Sequence, residues 1–288
     1  MGIEVEMVKI RNLSYHEKVN LILFASLLLT LPIIMLFSTA CNLLQLGEAS
    51  AEDYFYQGNQ YYNQGQYTQA IDSYTKAIQL DPQAAQVYNN RGLAYDAQKQ
   101  YDSAIADFTK AIELDPKLIQ AYNNRGVVYN EQNQYELAIA DYTQAIELDP
   151  QNGMAYRNRG RSYNDQKKYD LAIEDHNKAI QLEPQNADSY YDRGVVYLEQ
   201  NQLDLAIADF TKTIQLNPQH ALAYTNRGTI YAQQQQYEQA IADLTQAIQL
   251  NPQDYLAYQN RGLVYQKLGK QEEADADFQK YKELTGTP

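Results

Sequence analysis

One cysteine and three histidines occur in 288 residues, and each scarcity removes a class of chemistry. A lone Cys41 can form neither an intramolecular disulfide nor a cysteine-rich metal site. The histidines stand far apart, at His16, His176 and His220. No nucleophile and base pair, phosphate-binding loop or metal-ligand cluster is visible, so the expectation is a non-enzyme with no cofactor and no small-molecule substrate. Positive charge is scarce as well, with 23 Lys and Arg against 36 Asp and Glu. Without the first 50 residues, which carry three basic and four acidic side chains, 20 and 32 remain, a net charge of −12. A nucleic-acid partner is excluded on that ground, because neutralising phosphates needs a basic stripe.

What the chain has in abundance is periodicity. Proline recurs at Pro82, Pro116, Pro150, Pro184, Pro218 and Pro252, each at the thirty-fourth position after the one before. With proline as position 32, units begin at Ala51, Ala85, Ile119, Gly153, Ala187, Ala221 and Tyr255. Position 4 is then always Tyr (Tyr54 to Tyr258), position 8 Gly (Gly58 to Gly262), position 11 Tyr (Tyr61 to Tyr265) and position 20 Ala (Ala70 to Ala274). This pattern resembles the tetratricopeptide repeat family, with Tyr for the usual Trp at position 4 and Arg for the usual Leu at position 7. The resemblance implies an all-α fold, a right-handed α-solenoid of seven tandem helix-turn-helix repeats over 51–288 (51–84, 85–118, 119–152, 153–186, 187–220, 221–254 and 255–288). Such an array has no central core, because each repeat touches only its neighbours.

Within a unit, helix A is expected over positions 2 to 15 and helix B over 18 to 31, ended by the proline. Gly at 8 and Ala at 20 are read as the close crossing of the pair. Of the 27 tyrosines, 21 fall at positions 4, 11, 17 and 24, which makes them packing material. Positions 21 and 28 are Ile in six repeats but Asp275 and Lys282 in the last, so the final helix reads as a polar cap. Asp53 and Gln60 at positions 3 and 10 do the same at the first. Arg at 7 and Asp at 23 occur together in six repeats and are both absent from the first, which holds Gln57 and Ser73. That shared absence points to an ion pair within each repeat, with contact to a ligand as the other reading.

Helical geometry leaves positions 2, 5, 6, 9, 12 and 13 of helix A opposite the packed side. In the family this stripe lines the concave groove that holds extended peptides. Position 6 reads Tyr56, Asn90, Asn124, Asn158, Asp192, Asn226 and Asn260, and it resembles the asparagine ladder of the enzyme that attaches N-acetylglucosamine to protein Ser and Thr. A carboxamide offers both donor and acceptor to a peptide unit. One asparagine copied by duplication is the competing account. Phe55, Tyr56 and Tyr62 form an aromatic opening at the first repeat, either a seat for an apolar side chain or packing for the tether. Arg157 and Arg161 stand one turn apart on the same stripe, near Glu131, Asp165, Asp188 and Asp192. They are either a neutralised cluster or an anchor for a ligand carboxylate. The carboxylate clamp of chaperone-tail adaptors is absent, since Phe55, Gln120 and Asn124 stand where its basic residues belong.

Residues 19–40 carry no charge and follow Lys9, Arg11 and Lys18, with no further Lys or Arg until Lys76. The segment reads as a signal peptide or transmembrane anchor behind a cytoplasmic leader (1–18), with a linker at 41–50 before the repeats. The positive-inside bias sends the repeats across the membrane. Cys41 directly after Ser38-Thr39-Ala40 resembles the lipid-modified cysteine of a bacterial lipoprotein; an uncleaved anchor and simple secretion are the alternatives. The whole is read as a bacterial, membrane-tethered, extracytoplasmic scaffold that binds an extended segment of a protein partner to assemble or stabilise an envelope complex. A structural spacer or self-associating solenoid without a specific peptide ligand is the other reading.

Overall fold

The structure is a computed structural model and describes residues 49–286. The apolar stretch 19–40 and Cys41 lie outside the described residues. Fourteen α-helices follow one another and no strand occurs among the described residues. They are α1 (Ala51–Asn63), α2 (Tyr67–Leu80), α3 (Ala85–Ala97), α4 (Tyr101–Leu114), α5 (Ile119–Glu131), α6 (Tyr135–Leu148) and α7 (Gly153–Asp165). The second half continues with α8 (Tyr169–Leu182), α9 (Ala187–Glu199), α10 (Leu203–Leu216), α11 (Ala221–Gln233), α12 (Tyr237–Leu250), α13 (Tyr255–Lys267) and α14 (Gln271–Thr285). Each odd-numbered helix packs on the even one that follows, and each hairpin on the next, so the chain is an all-α solenoid.

Helix A spans positions 1 to 13 and helix B begins at 17, each shifted from the expected bounds by the turn between them. Position 15 takes the left-handed conformation in every repeat. It is Gly65 and Gly269 in the end repeats, but Lys99, Asn133, Lys167, Asn201 and Gln235 in the five inner ones, with φ of 58 to 60°. A side chain there opposes the turn by roughly 1–2 kcal/mol. The turn also returns hydrogen bonds to helix A, as in Gln100 N–H to Tyr95 O at 2.9 Å, which satisfies carbonyls the helix end leaves open. Helix B ends where Asp or Asn at position 31 accepts the N–H two residues on, for example Asp81 Oδ1 from Gln83 N at 3.0 Å. Repeat 4 departs from this. Glu183 replaces the Asp and bonds Asn186 at 2.8 Å, and a Cβ on Gly153 would stand 2.6 Å from its Oε1. The only glycine at position 1 thus makes room for the only Glu at position 31.

The buried layer consists of Ala at position 20, fully buried in every repeat, with positions 3 and 10 of repeats 2 to 7. Gly at 8 lies at the close crossing, where a Cβ on Gly228 would stand 3.3 Å from the Ala240 carbonyl oxygen, and its nearest neighbour in every repeat is the side chain at position 24. A Cβ on Gly58, Gly92 or Gly126 would come within 2.5–2.7 Å of the rings of Tyr74, Phe108 and Tyr142. The glycine is a saddle over which a helix B ring crosses toward the helix A face. At the two ends the stacking positions are exposed and polar: Asp53 and Gln60 first, Asp275 and Lys282 last. Ser50 and Asp53 form a capping box that starts α1. No helix among the described residues is long and apolar enough to cross a membrane.

Candidate functional site

The Arg and Asp pairs are the first feature to settle. In repeats 2 to 7 the position 7 guanidinium meets the position 23 carboxylate through two parallel bonds of 2.7–2.9 Å, from Nε and Nη2. Its remaining nitrogen reaches back to position 25 of the preceding repeat, as Arg91 Nη1 does to Thr75 at 3.0 Å and Arg261 to Thr245 at 2.9 Å. Tyrosines at 4 and 11 flank the charge, with Arg227 5.8 Å from the ring centroids of both Tyr224 and Tyr231. One residue therefore joins two helices and two hairpins. No hairpin precedes the first repeat among the described residues, and there Ser73 donates to Gln57 at 3.0 Å. With the arginine side chains only 15–20% exposed, this line holds the packing of the array.

Neighbouring A helices also touch each other, whereas successive B helices stand further apart, so the A helices line the inner side of the array. On that side the side chains at position 6 of repeats 2 to 7 are half-buried, and most reach back one repeat. Asn90 Nδ2 donates to Asn59 (2.9 Å), Asn124 to Asn89 (2.9 Å), Asn226 to the Tyr191 hydroxyl (3.3 Å) and Asn260 to Thr229 (2.8 Å). Their partners lie at position 5 or 9, whichever supplies the acceptor. Position 5 is correspondingly less open than helical geometry suggests: Asn89, Asn123 and Thr225 are buried. Asn158 is the exception in the ladder, its side chain making no hydrogen bond among the described residues.

At the first repeat the aromatics divide. Phe55 turns inward to Tyr74, centroids 6.1 Å apart, and Tyr62 packs edge-on to Tyr67 at 5.5 Å. Tyr56 stays 57% exposed. A cavity of about 310 Å³ opens beside Tyr62, lined also by Asn59, Tyr74, Asn90 and Leu93, and neither Phe55 nor Tyr56 borders it. The two central arginines divide likewise. Arg157 is engaged with Asp188 at 3.0 Å and Asp192 at 3.7 Å. Arg161 is exposed and, alone among the arginines of the described residues, has no carboxylate in ion-pair range.

Arg161 stands between two cavities. One of about 120 Å³ lies toward repeat 3, lined by Val127, Asn130, Glu131, Tyr142 and Asn158. The other, about 260 Å³, lies toward repeat 5 and includes His176, Tyr191 and Asp192. Burial raises the Asp192 carboxyl to about 6, against the pull of Arg161 and Arg157. Burial also lowers His176 to about 3, and both ring nitrogens lack a partner. Further along, Leu222, Leu256 and Leu263 are 46–51% exposed, and a more apolar cavity of about 270 Å³ opens at repeats 6 and 7. Sequence reasoning missed the position 24 contribution, whose signal is hydroxyl-bearing Tyr in repeats 1 and 3 where others carry Phe, Leu or His. No cluster of three or more His, Cys, Asp and Glu that could hold a metal exists among the described residues.

No curated protein matches the sequence. Solved structures do, among them YrrB, described as a repeat protein with an unusual peptide-binding site: 27% identical, covering 65% of this chain and 96% of its own, TM-score 0.51. A repeat protein from Parabacteroides merdae is 21% identical over 82% of this chain and 94% of its own, TM-score 0.66. PilF of Pseudomonas aeruginosa is 22% identical over 71% and 93%, TM-score 0.65. Family profiles described as TPR repeat match residues 58–99, 160–201 and 228–269, and others described as tetratricopeptide repeat match 85–118, 119–152, 187–220, 141–174, 210–242 and 255–287. Together these profiles tile the array, and the chain belongs to the tetratricopeptide repeat family.

Proposed function

We propose that this protein is a tethered interaction scaffold whose helix A face holds an extended segment of a partner protein. The observation that carries this reading is the contrast at repeats 3 to 5, where Tyr142, Asn158 and Arg161 point unpartnered polar groups into open cavities while the arginines of the opposite side are fully engaged. The likeness to YrrB, a protein described as peptide-binding, supports it. The face is graded: polar and aromatic at repeat 1, charged at the centre, apolar at repeats 6 and 7. An extended ligand would therefore place polar side chains centrally and an apolar one over Leu256 and Leu263.

Tethering is part of the same proposal. It rests on the uncharged 19–40 stretch behind Lys9, Arg11 and Lys18, and places the repeats outside the cytoplasm of a bacterium, serving an envelope complex. Protease added to spheroplasts should digest the repeats, and protection until lysis would overturn the topology. Cys41→Ala should abolish lipid labelling if the lipoprotein form is right, whereas an intact Met1 on the membrane-bound protein would identify the uncleaved anchor.

A second reading, the structural spacer, is favoured by one observation: four ladder amides bond the preceding repeat, so the ladder also glues the array. Pull-down from native membranes with the full chain separates the two. Partner capture lost in an Asn158→Ala, Arg161→Ala double variant that remains folded supports the groove, and unchanged capture supports the spacer.

A further inference from the structure

Tyrosine occupies position 24 in repeats 1 and 3, and the two side chains end in different company. At the first junction Asn59 Oδ1 receives both the Tyr74 hydroxyl (2.8 Å) and Asn90 Nδ2 (2.9 Å), a closed triad built from positions 24, 9 and 6. At the third junction Tyr142 and Asn158 occupy the same places, but the residue in place of Asn59 is Val127. Valine has no acceptor, and neither the Tyr142 hydroxyl nor the Asn158 amide makes a hydrogen bond among the described residues. Both line the same small cavity. Asn158 could have turned inward as Asn124 does to Asn89, yet the equivalent acceptor, Asn123 Oδ1, is buried without a donor. The unpaired groups therefore face outward.

The fourth wall is Arg161, which has no carboxylate partner and lies close enough to Tyr142 to bias its titration. Of the other polar neighbours, Asn130 is engaged by Ser162 and Asp165. Glu131 also lines the cavity, on its exposed rim, so Arg161 is the one cation there against one carboxylate. What is missing from this constellation is one oxygen acceptor, and the first junction shows where it sits. A guanidinium beside it selects an ionised acceptor over a neutral one.

We propose that the cavity between repeats 3 and 4 is a subsite for an aspartate or glutamate side chain of the partner segment, whose carboxylate oxygen takes the place held by Asn59 Oδ1 at the first junction. The inference rests on the reading that an extended segment lies along the helix A face, and it adds what that segment must carry. Tyr142 and Asn158 donate to one oxygen, Arg161 to the other, and the cavity of about 120 Å³ has room for a carboxylate head.

The test uses the full chain in detergent micelles and three fluorescein-labelled, end-capped Ser-Ala decapeptides with a central Glu, Gln or Ser. In fluorescence anisotropy the Glu probe should bind about tenfold or more tighter than the Ser probe, with Gln between. Tyr142→Phe should reduce the Glu advantage several-fold, and Arg161→Gln should bring Glu level with Gln. Val127→Asn rebuilds the closed triad from within. It should erase the Glu and Gln advantages while the Ser probe binds as before and the melting temperature does not fall. Equal binding of Glu and Ser probes to the wild type overturns this inference alone, as does a Glu advantage that survives both Arg161→Gln and Val127→Asn. Failure of all three probes to bind overturns it together with the reading beneath it.

Discussion

The outer and inner sides of the hairpins differ in how much they vary along the array. On the staple side, Arg at 7, Asp at 23 and a hydrogen-bonding residue at 25 recur at six junctions with distances that agree within a few tenths of an ångström. On the helix A side, positions 24, 9 and 6 read Tyr-Asn-Asn, Phe-Leu-Asn, Tyr-Val-Asn, His-Arg-Asp, Phe-Val-Asn and Leu-Thr-Asn from the first junction to the sixth. Both sides descend from the same repeated unit. The uniform side is the one where a buried charge must find its partner; the varied side is the one where local solutions suffice. Chemistry that distinguishes one repeat from another has accumulated on the inner face.

The sharpest way to break this contrast is to cut one staple. Arg159→Ala leaves Asp175, only 6% exposed, without its partner and should cost about 3–5 kcal/mol, measured by urea denaturation. Because neighbours stabilise one another, the transition should also broaden or split. Arg161→Ala on the inner face should cost less than about 1 kcal/mol. If the two variants cost the same, the division is wrong.

His176→Phe sharpens the comparison at the varied side. Removing two unpartnered buried nitrogens should stabilise the protein by about 1–3 kcal/mol at neutral pH. The histidine's pKa is lowered in the folded protein, so the unfolded chain binds the proton first, and wild-type stability falls as the pH drops below about 6.5. At pH 5 the variant's advantage should be larger by about 2 kcal/mol. A constant difference across pH 5 to 7 would show that His176 does not carry it.

Asp192→Asn tests the same junction with the opposite sign. This carboxyl titrates near 6 when folded, so its protonation favours the folded state at low pH, and that contribution is lost as the pH rises through about 6. The variant should be more stable than the wild type by up to about 3 kcal/mol above pH 7, with little difference at pH 4. A smaller effect separates members of the ladder. Asn124→Ala and Asn226→Ala each lose a bond to the preceding repeat and should cost about 0.5–1.5 kcal/mol. Asn158→Ala loses none and should be neutral in thermal melts, within a few tenths of a kcal/mol.

The period, the helix pairs and the polar ends were legible because each is a local pattern: a proline at every thirty-fourth position, isoleucine stripes, and charge where the stripes stop. Even the staple could be read from the joint absence of Arg and Asp in the first repeat. Its third contact, to position 25 of the neighbour, could not, since Thr there also looks like an ordinary exposed helix residue. The helix A stripe was found, but not the direction in which its amides turn. That direction depends on whether position 5 or 9 of another repeat offers an acceptor, a pairing across about one full repeat of sequence. The Tyr142 hydroxyl was missed because it belongs to helix B and reaches the inner face only by crossing the Gly126 saddle.

The staple's backward reach has a mechanical consequence. A guanidinium pinned to its own hairpin by two bonds and to the preceding one by a third fixes the angle between them, and six repetitions of the same triangle set one pitch for the array. The inner face is therefore a ruler rather than a spring. On the proposed reading, a partner segment would have to present its side chains at the spacing of the junctions, and one that did so would gain from a surface already in its bound shape.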